Sequence, residues 1–285
     1  MTKGRASAKA KPGAGRWRRR LKILCITLVA LLVVGAGALW WSLPDVSALA
    51  TKNPKTTAFI ELRRSQAQDS DARFRLHWKW RKLEQISRYL RHAVVASEDA
   101  KFWTHEGVDW DAMEQVAKET WEKKSMGRGG STITQQLAKN LYLSPSKNPV
   151  RKLREFFIAR RLESELSKER ILEIYLNVAE WGDGVFGAEA AAQKWFGKSA
   201  SKLSPAQAAR LAVALPNPFK RHAKRNAAWL DRKARRLVRS MRRARIVSEE
   251  ELEIALHALG SKAEAKDAPR QSQNESCQLR RYPST

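Results

Sequence analysis

The sequence predicts a mainly α-helical protein with one N-terminal transmembrane helix. Three observations predict it. Residues 23–43 form an uncharged apolar run, and from about Leu76 to Leu259 apolar residues recur every three to five positions. No sustained stretch alternates apolar and polar residues as a sheet demands. The 285 residues can hold one large domain or two small ones, and a 43% hydrophobic content excludes a wholly disordered chain.

The N-terminal element comes first. Ile23 to Leu43 is 21 residues without a charge, which as a helix would cover about 30 Å, the thickness of a bilayer's hydrocarbon. Ahead of it stand Lys3, Arg5, Lys9, Lys11, Arg16, Arg18, Arg19, Arg20 and Lys22, with no acid among them. The stretch after it, through Ile60, holds only Lys52 and Lys55 as basic residues. The positive-inside rule then predicts a cytoplasmic tail at 1–22 and an exported remainder. Trp40 and Trp41 fall where indole rings favour the interface. A cleaved signal peptide is the competing reading, with Ala36-Gly37-Ala38 as its site. Its apolar core would normally be about 7–15 residues, shorter than this run.

Residues 44–70, with Pro44 and Pro54 and few large apolar side chains, read as a linker, and 71–259 as the folded domain. Within it, Val150, Leu153, Phe157, Ile158, Leu162, Leu166, Ile171, Ile174, Tyr175 and Val178 keep helical spacing. Ser167 before Glu169 and Arg170 predicts a break and a new N-cap. Ser204-Pro205 predicts another helix start, and Pro216-Asn217-Pro218 its end. Residues 220–245 predict a basic amphipathic helix whose apolar side is Trp229, Leu230, Leu237, Val238 and Met241. Its solvated basic face suits anionic headgroups as well as nucleic acid. The polar tail from Gly260 lacks periodicity and reads as disordered. Cys25 in the span and Cys277 in the tail cannot serve as an internal disulfide.

With 55 Lys and Arg against 29 Asp and Glu, the chain attracts polyanions, and charge alone does not choose among them. Three motifs carry more. Glu98-Asp99 follows the apolar run Ala93–Ala96 and precedes Phe102 and His105. A partly buried carboxylate there would be raised in pKa and suited to general-base work, although a helix-end pair is also what a solvated cap looks like. Gly129-Gly130-Ser131-Thr132 leads into Gln135, Gln136, Lys139 and Asn140. Amides and hydroxyls at that helix start, with Lys139 beyond, predict an anion site, and Lys123 to Gly130 reads as a mobile flap. Arg151-Lys152 stand three to four residues before Glu155 on one helix face, which alone would pass for a surface ion-pair ladder.

Together with Ser-Lys-x-x-Ile-Leu-Glu-x-Tyr-Leu-Asn at Ser167 to Asn177, these motifs resemble the family 51 peptidoglycan glycosyltransferases. The likeness runs from about residue 54 to 219. Asn177 to Gly187 and the opening Asn53 to Ala58 are similar to its monofunctional, single-domain branch. The resemblance implies a lysozyme-like helical glycosyltransferase domain with a small membrane-facing jaw. It implies lipid II as substrate, polymerised with inversion into β-1,4-linked strands. Glu98 would be the general base and Glu155 the second catalytic carboxylate, with a divalent metal (Mg or Mn) left open beside it. Lys139, Arg151, Lys152, Ser131 and Gln136 would hold the pyrophosphate, with Lys147 as a looser match. Asp99, Phe102, His105, Thr132, Gln135 and Asn140 complete the implied substrate contacts. Implied partners are lipid II, the growing glycan and membrane lipids, with cell-wall synthesis and division proteins left open and no nucleic acid. The implied location is the inner membrane, single-pass, with a periplasmic catalytic domain.

A lysozyme-like hydrolase would also use a glutamate, as a general acid, but would not need the Lys/Arg cluster. A tethered nucleic-acid-binding or structural protein would leave the carboxylates idle. Ser199-Ala200-Ser201-Lys202 and Ser144-Pro145-Ser146-Lys147 fit Ser-x-x-Lys. Neither is followed by Lys-Thr-Gly, which speaks against an acyl-transfer domain.

Overall fold

The computed structural model describes residues 14–69, 74–123, 130–146, 148–219 and 228–260. The chain divides into two units, Met1–Leu43 and Pro44–Thr285. The first is one helix, α1 (Ala14–Trp41). Its stretch Trp17–Trp41 has a mean hydropathy of 2.6 and is long and apolar enough to cross a membrane. Ile23, Leu24, Ile26, Val29 and Val34 are all exposed, as lipid-facing side chains of a lone anchor helix would be. The helix begins nine residues before the expected Ile23, because Arg18, Arg19, Arg20 and Lys22 are good helix formers and nothing there stops it.

The second unit opens with a 3-10 turn (Ser47–Ala50) and α2 (Ala58–Asp69). The expected linker is therefore corrected: this segment belongs to the folded body. Its few large apolar residues, Val46, Leu49 and Ile60, are all buried. The Arg170 guanidinium donates to the carbonyls of Leu49 and Lys52 and to Asn53 Oδ1. After α2 come β1 (His77–Trp78), α3 (Arg88–Glu98), α4 (Trp110–Lys123), α5 (Ile133–Tyr142), α6 (Pro149–Glu165) and α7 (Lys168–Val178). Then follow β2 (Glu180–Gly182), β3 (Val185–Phe186), α8 (Ala188–Phe196), α9 (Pro205–Ala214), α10 (Ala228–Arg243) and α11 (Glu249–Ala258).

The helix boundaries follow the expected signals. Ser167 caps α7 by accepting from Arg170 N, and Ser204 caps α9 with Pro205 at its first position. The α9 helix stops at Ala214, with Leu215 still in the helical region, because Pro216 lacks an N–H to continue the ladder. The centre of the body is α7, whose Ile171, Leu172, Ile174, Tyr175, Leu176, Asn177 and Val178 are all buried. It packs on α5, which in turn packs on α6 and α2. Beside them, the alanine-rich α9 is flanked by α3 and α10, and its small side chains allow close approach. By contrast α4 has no buried residue among those described.

A small sheet of order β1-β3-β2 was not foreseen. Strands of two or three residues are too short to display alternation. β1 runs parallel to β3, pairing His77 with Val185, and β2 runs antiparallel with a bulge. Asn177 fastens this sheet to α7. Its Nδ2 donates to Arg81 O at 2.7 Å, its Oδ1 accepts from Arg81 N at 2.8 Å, and its carbonyl accepts from Trp78 Nε1 at 2.7 Å. Gly187, at φ 82°, passes so close that a Cβ would sit 2.6 Å from that carbonyl. Only glycine fits there. Expectations for residues 124–129, 220–227 and 261–285, including most of the flap and the tail, lie outside the described residues.

Candidate active site

The site is built on three helix segments. Glu98 is the last residue of α3, half-buried where that helix ends. On α5 the buried face comprises Ile133, Thr134, Gln135, Leu137, Ala138, Asn140 and Leu141. This leaves Gln136, Lys139 and Tyr142, spaced three apart, as the more open face. Gln136 Nε2 donates to Glu98 Oε2 at 3.0 Å, and Gln136 Oε1 accepts from Tyr175 OH at 2.9 Å. The Gln136 amide is thereby oriented, with its donor end on the carboxylate.

One turn on, the Lys139 ammonium lies 5.9 Å from the centroid of the Phe59 ring. Burial holds its pKa below the usual lysine range, and the positive Arg151 and Lys152 push the same way. Glu155 and Glu98 oppose them. Lys139 therefore shares one electrostatic neighbourhood with the carboxylates of both α3 and α6. Glu155 on α6 is 3% exposed. Its two oxygens are taken by Arg151 Nη1 and Lys152 Nζ, and Lys152 Nζ also donates to Ser131 Oγ at 3.0 Å. Three cations, Lys139, Arg151 and Lys152, against the two carboxylates Glu98 and Glu155 leave this cluster with an excess of positive charge, suited to a pyrophosphate.

The remaining expected residues sit behind this surface. Asp99 is buried, accepts from Ile133 N at 2.8 Å, and meets His105 Nε2 at 2.9 Å. Gly107 N donates to His105 Nδ1, which leaves Nε2 as the protonated nitrogen facing Asp99. Phe102 is fully buried against Trp103 and His105. Thr132 and Gln135 form a reciprocal capping box at the start of α5. Asn140 is buried on the same helix. The helix start expected to hold an anion carries acceptors of its own. The N–H groups of Ile133 and Gln135 donate to Asp99 and Thr132, so the protein supplies its own carboxylate at the cap. Ser131, just outside the cap, faces the lysine instead. Lys147 lies outside the described residues.

Among residues that carry the site, the motif analysis assigned no role to Tyr175, Glu163 or Lys168. Glu163 Oε1 accepts from Thr134 Oγ1 at 2.6 Å and from Lys168 Nζ at 2.8 Å, and Lys168 Nζ also donates to His105 O at 2.6 Å. Two of the three, Lys168 and Tyr175, fall inside the Ser167 to Asn177 motif, the signal that could have found them. Among the described residues no three His, Cys, Asp or Glu side chains gather into a metal-binding group. Both Glu155 oxygens already face cations. These residues do not fit a resident divalent ion, and no step below runs through one.

Comparison with known proteins shows the family. The family model described as Transglycosylase matches residues 68–242. A protein named biosynthetic peptidoglycan transglycosylase from Herminiimonas arsenicoxydans is 46% identical over 221 residues, 78% of this chain and 90% of its own. One of the same name from Methylobacillus flagellatus is 44% identical over 230 residues, covering 81% and 97%. Another from Nitrosospira multiformis is 48% identical over 194 residues, covering 68% and 84%. With the model matching well over half of the sequence and relatives aligned across most of their own length, the chain belongs to the transglycosylase family.

Proposed function

We propose that the chain is a membrane-anchored peptidoglycan glycosyltransferase that polymerises lipid II and releases polyprenyl pyrophosphate. The observation that carries this reading is the hydrogen bond from Gln136 to Glu98, on the α5 face that also presents Lys139. It brings a candidate base and a cationic pocket into one groove.

In the proposed reaction Glu98 removes the proton of the acceptor's sugar 4-hydroxyl. The freed oxygen attacks the anomeric carbon of the growing chain from the face opposite the leaving group. The carbon–oxygen bond to pyrophosphate breaks as the glycosidic bond forms, and α becomes β in one displacement. Lys139, Arg151, Lys152 and the Ser131 hydroxyl stabilise the charge that develops on the leaving pyrophosphate. Glu155, expected as a second catalytic carboxylate, acts in this reading by holding Arg151 and Lys152 in place. Asp99, Phe102, His105, Thr132, Gln135 and Asn140 position the groove instead of touching substrate.

The apolar α1 supports an anchor for an enzyme whose substrate keeps its lipid tail in the bilayer. The basic residues ahead of it favour a cytoplasmic N-terminus in the inner membrane, with the catalytic unit periplasmic. The little-buried α4, with Trp110 and Met113 exposed, fits the expected membrane-facing jaw. Polymerisation of purified lipid II by wild type and Glu98→Gln tests the function. Glycan strands are expected from the first and at least about a hundredfold less from the second, with both folded. Equal rates would reject Glu98 as the base, and cleavage of finished glycan without synthesis would favour a hydrolase.

A further inference from the structure

On α10, Arg232, Arg236, Arg239 and Arg243 recur at intervals of four, three and four residues. At about 100° per residue they fall within an arc of roughly 60°. The buried Leu230, Ala234, Leu237, Val238 and Met241 occupy the opposite side, where α10 packs on α9 and α3. The four guanidinium groups therefore form a stripe roughly 16 Å long that points away from the core.

No carboxylate among the described residues neutralises the stripe. No Asp or Glu occurs between Arg232 and Arg245. Of the acids that flank the helix, Asp231 pairs with Arg210, Glu249 with Arg242, and Glu251 with Tyr89 and Arg88. Among the described residues none of the four arginines has a carboxylate partner. Like charges three to four residues apart repel one another, so a helix that keeps them in line gains only where an external anion lies along it. The proposed reaction makes no use of this face.

We propose that the arginine stripe of α10 docks on an anionic phospholipid surface. Guanidinium groups bind phosphate oxygens in a planar, two-pronged geometry, and a lipid headgroup layer offers such oxygens along a plane. That surface is also the polyanion the chain always has within reach. Only residues 42–45 separate the last residue of the apolar α1 from the buried Val46. Trp229, with the Lys233 ammonium 5.8 Å from its ring centroid, adds an amphipathic side chain of the kind that settles at headgroup level. The inference depends on membrane anchoring and is independent of the role of Glu98.

The test uses the full chain in lipid nanodiscs. A donor fluorophore is placed at Ser240→Cys, beside the stripe, with Cys25→Ser and Cys277→Ser, and the acceptor is a labelled lipid headgroup. With about 30% phosphatidylglycerol, energy transfer is expected to exceed that in pure phosphatidylcholine by about twofold or more. It should return to the neutral-lipid value at about 0.5 M NaCl, where screening acts within a few ångströms. Replacing all four arginines by Gln should abolish the response to lipid charge while leaving glycan polymerisation in detergent unchanged, which confirms the fold. Glu98→Gln should respond as wild type, separating this surface from the chemistry. Equal transfer in both lipids would overturn the proposal, as would a quadruple variant that still responds to phosphatidylglycerol. Binding of an oligonucleotide by the stripe without any lipid response would overturn it too, in favour of nucleic acid.

Discussion

Gln136 donates its side-chain amide to Glu98 while its carbonyl accepts from the buried hydroxyl of Tyr175. An amide can be turned either way; the carboxylate can only accept, which fixes the donor end on it, and the Tyr175 hydroxyl then holds the carbonyl end from the core. The consequence is a base whose direction is set from the core. Tyr175→Phe should therefore lower kcat about tenfold and Gln136→Leu about a hundredfold, with KM for lipid II within about twofold of wild type. Steady-state polymerisation rates check this. An unchanged kcat in both variants would remove the relay from the mechanism.

Lys139 must be charged to stabilise a departing pyrophosphate, yet burial lowers its pKa. Activity should then fall on the alkaline side before the ordinary lysine range is reached. Lys139→Arg, which stays protonated, should move that limb upward, whereas Lys139→Ala should cut kcat by about a hundredfold or more. A pH profile of kcat/KM distinguishes the two, and an identical alkaline limb in wild type and Lys139→Arg would argue against this role.

Glu155 is nearly inaccessible and neutralises two cations. Its replacement by Gln leaves Arg151 and Lys152 facing each other with one weak acceptor between them. A loss of about 2–4 kcal/mol is expected in urea unfolding, together with weaker lipid II binding. Loss of activity at full stability and unchanged KM would instead point to direct catalysis by this carboxylate.

Asp99 caps α5 and holds His105. Asp99→Ala should cost about 2–3 kcal/mol, by leaving the Ile133 N–H and the His105 ring buried without their acceptor. Thermal unfolding would register the loss, and a melting temperature equal to wild type would contradict the capping role.

His92 is buried in α3, and burial, with Arg91 and Arg88 adding to it, pulls its pKa down to about 3. The unfolded chain binds a proton at this residue below about pH 6.5, while the folded one stays neutral until about pH 3. The stability tied to the neutral ring is thus complete above pH 6.5 and is lost as pH falls through that window, by up to about 1.4 kcal/mol per pH unit. Urea midpoints between pH 7 and 4 should show the slope, and His92→Gln should flatten it. The same slope in both proteins would assign acid sensitivity to other groups.

Periodicity and capping residues by themselves determined the helices α6, α7 and α9 and the apolar α1. Their signals are local: a 3.6-residue stripe, a Ser with Pro behind it, an uncharged run long enough to span hydrocarbon. The residues of the groove were also legible, since Glu98, Ser131, Gln136, Lys139, Arg151, Lys152 and Glu155 stand in short motifs. Which groups each one meets there was decided only by tertiary structure. Gln136 looked like a phosphate ligand until α3 was seen to end against it, and the amides at the start of α5 looked free until Asp99 was found on them. Residues 44–70 read as a linker because so few of their side chains are apolar, but burial of Val46, Leu49 and Ile60 binds the described part of them, 44–69, to the domain. A hydrogen bond between residues 38 positions apart has no period and leaves no mark along the chain. It exists only once the packing of α3, α5 and α7 has brought its two ends together.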